Sequence, residues 1–171
     1  MTSLTAPLRW AAHQEREYVG AGPERPLGSF GLLMAGYAGF AGAGALLIRR
    51  SRPDYSRPRW SDLALLAVAT AKLSRLLARD RVTSPLRAPF TQFEDFATAD
   101  EVEESPRGSG LRRAVGELVT CPWCLAQWVA TGLVVSSVLA PRATRLTCAG
   151  LAVVAASDAL AHGMDRQASS A

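Results

Sequence analysis

The chain has 171 residues, enough for one domain of ordinary size, with a formal net charge of +4 and a mean hydropathy of only +0.09. All but one of its 19 basic residues are Arg, and they flank apolar runs instead of forming a continuous basic face, which argues against a nucleic-acid surface and for lipid-headgroup anchors. Three cysteines leave one unpaired if the close pair bonds, which excludes a disulfide-stapled secreted scaffold.

Residues 1–26 mix charge, Pro and Gly without a sustained period and read as a flexible tail, with at most a short interfacial helix near Trp10. No cleavable leader is expected, because the first apolar run begins only at Leu27 and is too long for a signal core. From Leu27 to Ile48 no residue is charged, a run of about 33 Å as a helix, which matches the hydrocarbon thickness. Gly28, Gly31, Ala35, Gly39 and Gly42 fall roughly along one face of it, where small residues would let a partner helix approach. Arg49 to Arg59 forms a basic connector, and Trp60-Ser61-Asp62 reads as an interfacial aromatic followed by a helix start. The next helix, about residues 61–80, is apolar from Leu63 until Lys72. Lys72, Arg75 and Arg79 then share one face, because residues three or four apart lie together. Pro85 and Pro89 break the helical pattern. Residues 91–110 carry six acidic side chains and end in Pro106-Arg107-Gly108-Ser109-Gly110, an expected solvated and partly disordered excursion. Leu111 to Val119 suits an amphipathic lead-in along the interface. Spans at about 121–140 and 144–163 complete the chain before a tail at 164–171. The expected architecture is all-α: a small polytopic membrane protein with four transmembrane helices and a long loop, 81–120, between the second and third.

Depth along the last hairpin predicts where polar groups meet. With Pro141 at the apex, Cys124 lies seventeen residues before it and Asp158 seventeen after, while Cys121 and His162 lie twenty and twenty-one away. Equal distance from the turn of an antiparallel pair means equal depth, so both thiols, Asp158 and His162 belong near one membrane boundary, with Cys148 toward the other. Alternation of spans brings Arg75 and Arg79 to the same boundary. A charge in lipid costs roughly 2.5–3.5 kcal/mol unless paired, so Asp158 is expected to neutralise Lys72 or Arg75. The pairing either clips helices together or handles a proton or ligand.

Cys121-Pro122-Trp123-Cys124 opens a helix, with Pro122 suited to the first turn. The helix N-terminus stabilises a thiolate there, which permits thiol–disulfide chemistry, although no βαβ pattern of the thioredoxin kind surrounds it. The alternatives are a structural or conditional disulfide, or a zinc site completed by Asp158 and His162.

Two motifs resemble a known family. Lys72-Leu73-Ser74-Arg75-Leu76-Leu77 followed by Asp80 to Phe90, and then Gly116-Glu117-Leu118-Val119-Thr120-Cys121-Pro122-Trp123-Cys124 with Trp128, are similar to the signatures of the domain of unknown function 1360 (DUF1360) family, as is the late acidic Asp158. The resemblance covers about residues 61–163 and leaves the first span and both tails outside. It implies a bacterial integral membrane protein and no particular activity. It also groups Arg75, Asp80, Arg87, Pro89, Phe90, Glu117, Cys121, Cys124 and Trp128 as fixed points of the pattern.

The function expected is a structural or partner-binding centre in the bacterial cell membrane. It is formed by the polar layer of Lys72, Arg75, Arg79, Asp80, Arg87, Glu117, Asp158 and His162, with Arg87 gripping a carboxylate such as Glu117 or a lipid phosphate. The bilayer is the expected partner, with a helix partner on the Gly-rich first span, no nucleic acid and no cofactor. The rival is a membrane thiol oxidoreductase, with Cys121 attacking, Cys124 resolving and His162 or Asp158 accepting the proton. A metal-binding module using Cys121, Cys124, Asp158 and His162 is the third reading. Orientation stays open, since the Arg49–Arg59 connector and the arginines of the long loop both favour the cytoplasm.

Overall fold

The computed structural model describes residues 27–51, 59–98 and 100–169, with side chains as far as Met164. The expected tail at 1–26 and most of the basic connector lie outside the described residues. Helix α1 spans Leu27–Ser51 and α2 spans Trp60–Arg79; a 3-10 turn (Arg81–Thr83) and a single turn, α3 (Ser84–Arg87), follow. Strands β1 (Thr91–Phe96) and β2 (Val102–Pro106) precede α4 (Gly110–Thr120), α5 (Pro122–Leu139) and α6 (Pro141–Ser169).

The helix boundaries follow local chemistry. Pro122 and Pro141 each open a helix, where a missing N–H costs nothing. The Cys121 sulfur caps α5 by accepting from the Cys124 N–H at 3.2 Å. Ala140 is all that separates α5 from α6. Gly108 (φ 82°) and Gly110 (φ 59°) supply the left-handed backbone that turns the chain from β2 into α4.

Three helices, Leu27–Ser51, Pro122–Leu139 and Pro141–Met164, are long and apolar enough to cross a membrane. Helix α2 is long enough at 20 residues but carries Asp62, Lys72, Arg75 and Arg79, so by composition it does not join them. Burial is sparse throughout. Among the described residues the only buried apolar side chains are Ala69, Ala78, Val102, Ala114 and Cys148, while Leu32, Met34, Leu46, Leu146, Val153 and Leu160 are exposed on the long helices. Small residues thus lie inside and large apolar ones outside.

Helix α2 packs against both α5 and α6, and α1 packs on α5. The α1–α5 seam runs through Tyr37, whose hydroxyl lies 2.9 Å from the Thr131 hydroxyl, and through Trp128, edge-on to Tyr37 and stacked on Phe40. At Gly44 a Cβ would meet Val135 Cγ2 at 2.5 Å, so the glycine is what lets the helices close. The small-residue face expected to take a helix partner is uncovered within the chain: Gly28, Gly31, Gly39 and Gly42 would meet nothing within 4 Å, and Ala35 is exposed.

Two further expectations are corrected. The loop 81–120 is not a disordered excursion, since β1 and β2 pair antiparallel from Thr91 with Pro106 to Phe96 with Val102, with a bulge between Phe93 and Asp95. The fold is therefore mostly helical with a small sheet and not purely α. Helix α6 continues to Ser169, through the start of the expected C-terminal tail.

Candidate functional site

Local chemistry ends α2 and builds the site. Asp80 turns to extended backbone (ψ 141°), which leaves the last carbonyls of α2 without helical partners. The Thr83 hydroxyl reaches back to Leu76 O at 2.6 Å and Asp80 O at 2.9 Å. Arg87, its side chain 2% exposed, adds further bonds at this end: Nη1 donates to Leu77 O (2.8 Å) and to the Thr83 hydroxyl (2.6 Å), and Nη2 donates to Asp80 O (3.1 Å). A cation at a helix C-terminus also opposes the helix dipole favourably.

The other edge of the same guanidinium holds the hairpin. Nε donates to Glu104 Oε2 at 2.9 Å and Nη2 to Glu104 Oε1 at 3.0 Å, a bidentate fork. Glu104, only 6% exposed, also accepts from the Ser84 hydroxyl (2.7 Å) and the Thr91 hydroxyl (2.8 Å). Burial alone would push the Glu104 carboxyl up, but the hydrogen bonds from Arg87, Ser84 and Thr91 outweigh it and hold the carboxyl below its usual range. A buried ion pair is tolerable only when its hydrogen-bonding capacity is filled, and here both partners are filled.

Further contacts tie this cap to its surroundings. Arg75, farther back on α2, forks onto Glu101 at 2.5 and 3.0 Å. The Arg81 N–H donates to Asp100 O (3.0 Å), and its guanidinium lies 4.4 Å over the Phe96 ring. Helix α4 presses on the base of the hairpin at Gly116, where a Cβ would sit 2.6 Å from Phe90 O and 3.0 Å from Pro106 Cβ. Arg112 Nε donates to Pro89 O at 2.8 Å.

The expected polar layer resolves into separate pairs. Lys72 Nζ meets Asp158 Oδ2 at 2.7 Å, with the lysine 12% and the aspartate 44% exposed. His162 Nδ1 lies 2.8 Å from Asp158 O, one turn back on its own helix. Arg75 is committed to Glu101 and not to Asp158. Glu117 pairs with Arg113 at 3.3 Å and not with Arg87, whose carboxylate partner is Glu104. Asp80 contributes its backbone carbonyl, and Arg79 makes no ion pair among the described residues. At the other end of α2, Asp62 pairs with Arg145 at 3.4 Å.

Sequence reasoning missed Glu104, Glu101, Thr83, Ser84 and Thr91. The signal was present but faint: Val102, Glu104 and Pro106 alternate along β2 and so share the inward side. Six acidic residues in one stretch masked the one that is buried.

Cys121 and Cys124 lie at disulfide distance, with Cα atoms 5.3 Å apart, while Cys148 is a buried free thiol. Among the described residues no group of three or more His, Cys, Asp and Glu side chains is placed to hold a metal ion. Cys121, Cys124, Asp158 and His162 are thus not gathered as a ligand set: the sulfurs face each other, and Asp158 is taken by Lys72.

No solved structure matches the chain. The sporulation protein YjcA of Bacillus subtilis (strain 168) is 35% identical over 98 residues, covering 53% of this chain and 83% of that protein. The model of a family described as a protein of unknown function (DUF1360) matches residues 65–164, the stretch that contains most of α2, the Arg87 lock, the hairpin, α5 and most of α6. The chain therefore belongs to the DUF1360 family.

Proposed function

We propose that this chain is a non-enzymatic, four-span protein of the bacterial cell membrane whose Arg87–Glu104 lock holds a rigid cap at one boundary as a structural or partner-binding centre. One observation carries the four-span reading. Helices α1 and α5 run parallel, since Gly36 faces Trp128, Phe40 faces Gly132 and Gly44 faces Val135 in step. Two parallel spans in one chain require a return crossing between them, and α2 is the only described long helix available. At about 30 Å it has the length. Asp62, Lys72 and Arg75 are matched by Arg145, Asp158 and Glu101, which lowers the cost of carrying them into the bilayer, and Arg79 sits in the last turn at the boundary. Trp60 and Trp123, each 87% exposed, mark opposite ends of the bundle, as interfacial aromatics do.

Topology tests this reading. Single cysteines at Arg59→Cys and Glu94→Cys, before and after α2, in a background lacking the native thiols, are labelled with an impermeant maleimide in intact cells. Four spans place the two positions on opposite sides, so one reacts and the other does not until the membrane is opened. Equal labelling of both removes the proposal. The process served is inferred from the Bacillus subtilis relative, whose name is a sporulation protein. Restoration of spore yield by this chain in a strain lacking that relative supports a shared process. A membrane-inserted chain that restores nothing argues against it.

A second reading, a membrane thiol–disulfide exchanger, is favoured by the close sulfurs of Cys121 and Cys124 beside exposed Trp123. In it the reduced Cys121 thiolate attacks a substrate disulfide and releases one substrate thiol. Cys124 then displaces the other, leaving the substrate reduced and the pair oxidised. A mixed disulfide that accumulates only in Cys124→Ala supports it; full function of the Cys121→Ala/Cys124→Ala double variant removes it.

A further inference from the structure

The elbow between α2 and β1 has two unlike sides. Thr83 and Arg87 point inward and are buried in the lock, whereas Val82 is 81% and Leu86 69% exposed, with Pro85, Ala88 and Pro89 exposed beside them. Val82 and Leu86 are four residues apart on successive turns and so project together. They cannot turn inward without drawing the Arg87 guanidinium out of its hydrogen bonds. An isolated exposed apolar residue needs no explanation, but a rigidly held pair at this position does.

The position is the end of the bundle at which α1 and α5 begin. The elbow starts directly after α2, α5 opens there with exposed Trp123, and Gly110 of α4 approaches Ser29 in the first turn of α1. Two exposed arginines flank it. The Arg81 guanidinium lies on Phe96 and donates no hydrogen bond among the described residues. Arg112 spends Nε on Pro89 O and keeps its two terminal nitrogens free of partners among the described residues. Apolar side chains bracketed by unsatisfied guanidinium donors are the arrangement that suits a leaflet boundary, with acyl chains below and phosphates at the rim.

We propose that the Arg81–Pro89 elbow is an interfacial anchor: Val82 and Leu86 enter the acyl boundary while Arg81 and Arg112 bind the phosphates of anionic phospholipid. The inference rests on the membrane reading above and adds a lipid-binding site to it. Lipid is the occupant because the elbow follows α2 directly at the end where α1 and α5 begin and because the charges it presents, Arg81 and the neighbouring Arg112, are cationic.

The full-length chain is placed in nanodiscs of phosphatidylcholine with phosphatidylglycerol, with spin labels at Val82→Cys, Leu86→Cys, Val134→Cys or Glu94→Cys. Depth is read from collision with oxygen against a water-soluble nickel chelate. Labels at 134 deep in lipid, at 82 and 86 shallow in lipid and at 94 in water support the anchor. A lipid signal at 134 with water signals at 82 and 86 overturns it and leaves the membrane reading standing. A water signal at 134 sinks the membrane reading itself. If 82 and 86 are wet in nanodiscs but shielded in native membranes, the elbow meets a protein partner and the anchor is refuted. Phosphatidylglycerol retained on purification is then counted by native mass spectrometry. Arg81→Gln/Arg112→Gln is expected to lose it several-fold, while Arg142→Gln, at the other end, keeps it. Equal retention by all variants overturns the phosphate assignment, and displacement of the lipid by millimolar inorganic phosphate marks a free-phosphate site and overturns the lipid anchor.

Discussion

Substituting Glu104→Ala tests the Arg87 lock most directly. The change removes the acceptor of two bonds from Arg87 and of one each from Ser84 and Thr91, and leaves a guanidinium buried without its counter-ion. Removing one member of a buried pair costs about 3–5 kcal/mol. The loss falls on the hairpin, because the remaining Arg87 bonds run to α2 carbonyls and to Thr83 and survive. At about 1.4 kcal/mol per factor of ten, the opening equilibrium of β1 and β2 shifts by roughly two to three and a half decades. Amide hydrogen exchange measures this: Phe93, Phe96 and Glu104-flanking amides should exchange faster by that factor, while amides of α5 stay protected. Replacing both partners (Arg87→Met with Glu104→Leu) should restore much of the protection, since no unpaired charge remains. Unchanged exchange in Glu104→Ala, or a double variant as open as the sum of its parts, would refute the claim that the pair holds the cap.

The pH dependence follows from the same carboxylate. Its folded-state pKa lies below the ordinary value of 4.5, so its contribution is complete above that pH and is lost as pH falls through the lowered value. Hairpin exchange corrected for intrinsic rate should be flat from neutrality to about pH 5 and should rise in stronger acid. Gly116→Ala must push α4 off the Phe90 carbonyl and Pro106, at a cost of about 1–3 kcal/mol; lowered thermal stability in detergent checks it. Lys72→Ala leaves Asp158 without its partner and should reduce the yield of folded protein, and Lys72→Ala/Asp158→Ala should recover part of it. An iodoacetamide-treated, unreduced and denatured sample should carry one label, on Cys148, if the other two cysteines are bonded as in the structure.

Much was legible from local pattern alone. The apolar runs that become α1, α5 and α6, with Pro122 opening α5, follow from local pattern, although α6 starts at Pro141 and not at the expected 144; a basic partner for Asp158, Lys72 or Arg75, follows from the cost of an unpaired charge, with Lys72 selected only by the fold. Both are properties of the chain read along its length, since helical rise is constant and charge avoids apolar surroundings. The family was legible too, in the two motifs around Arg75 to Phe90 and around Cys121.

Tertiary structure alone decided which groups close on Arg87 and which face of α1 is covered. Glu104 lies 17 residues from Arg87, across a bulged strand pair. No helical period can foretell such a partner, and Glu117 looked equally good by charge. Likewise five small residues along α1 suggested a seam, yet within the chain Tyr37, Phe40 and Gly44 take Trp128 and Val135. Length, spacing and charge set position along each helix; the choice of neighbour around each helix depends on shape, which exists only after the chain has packed.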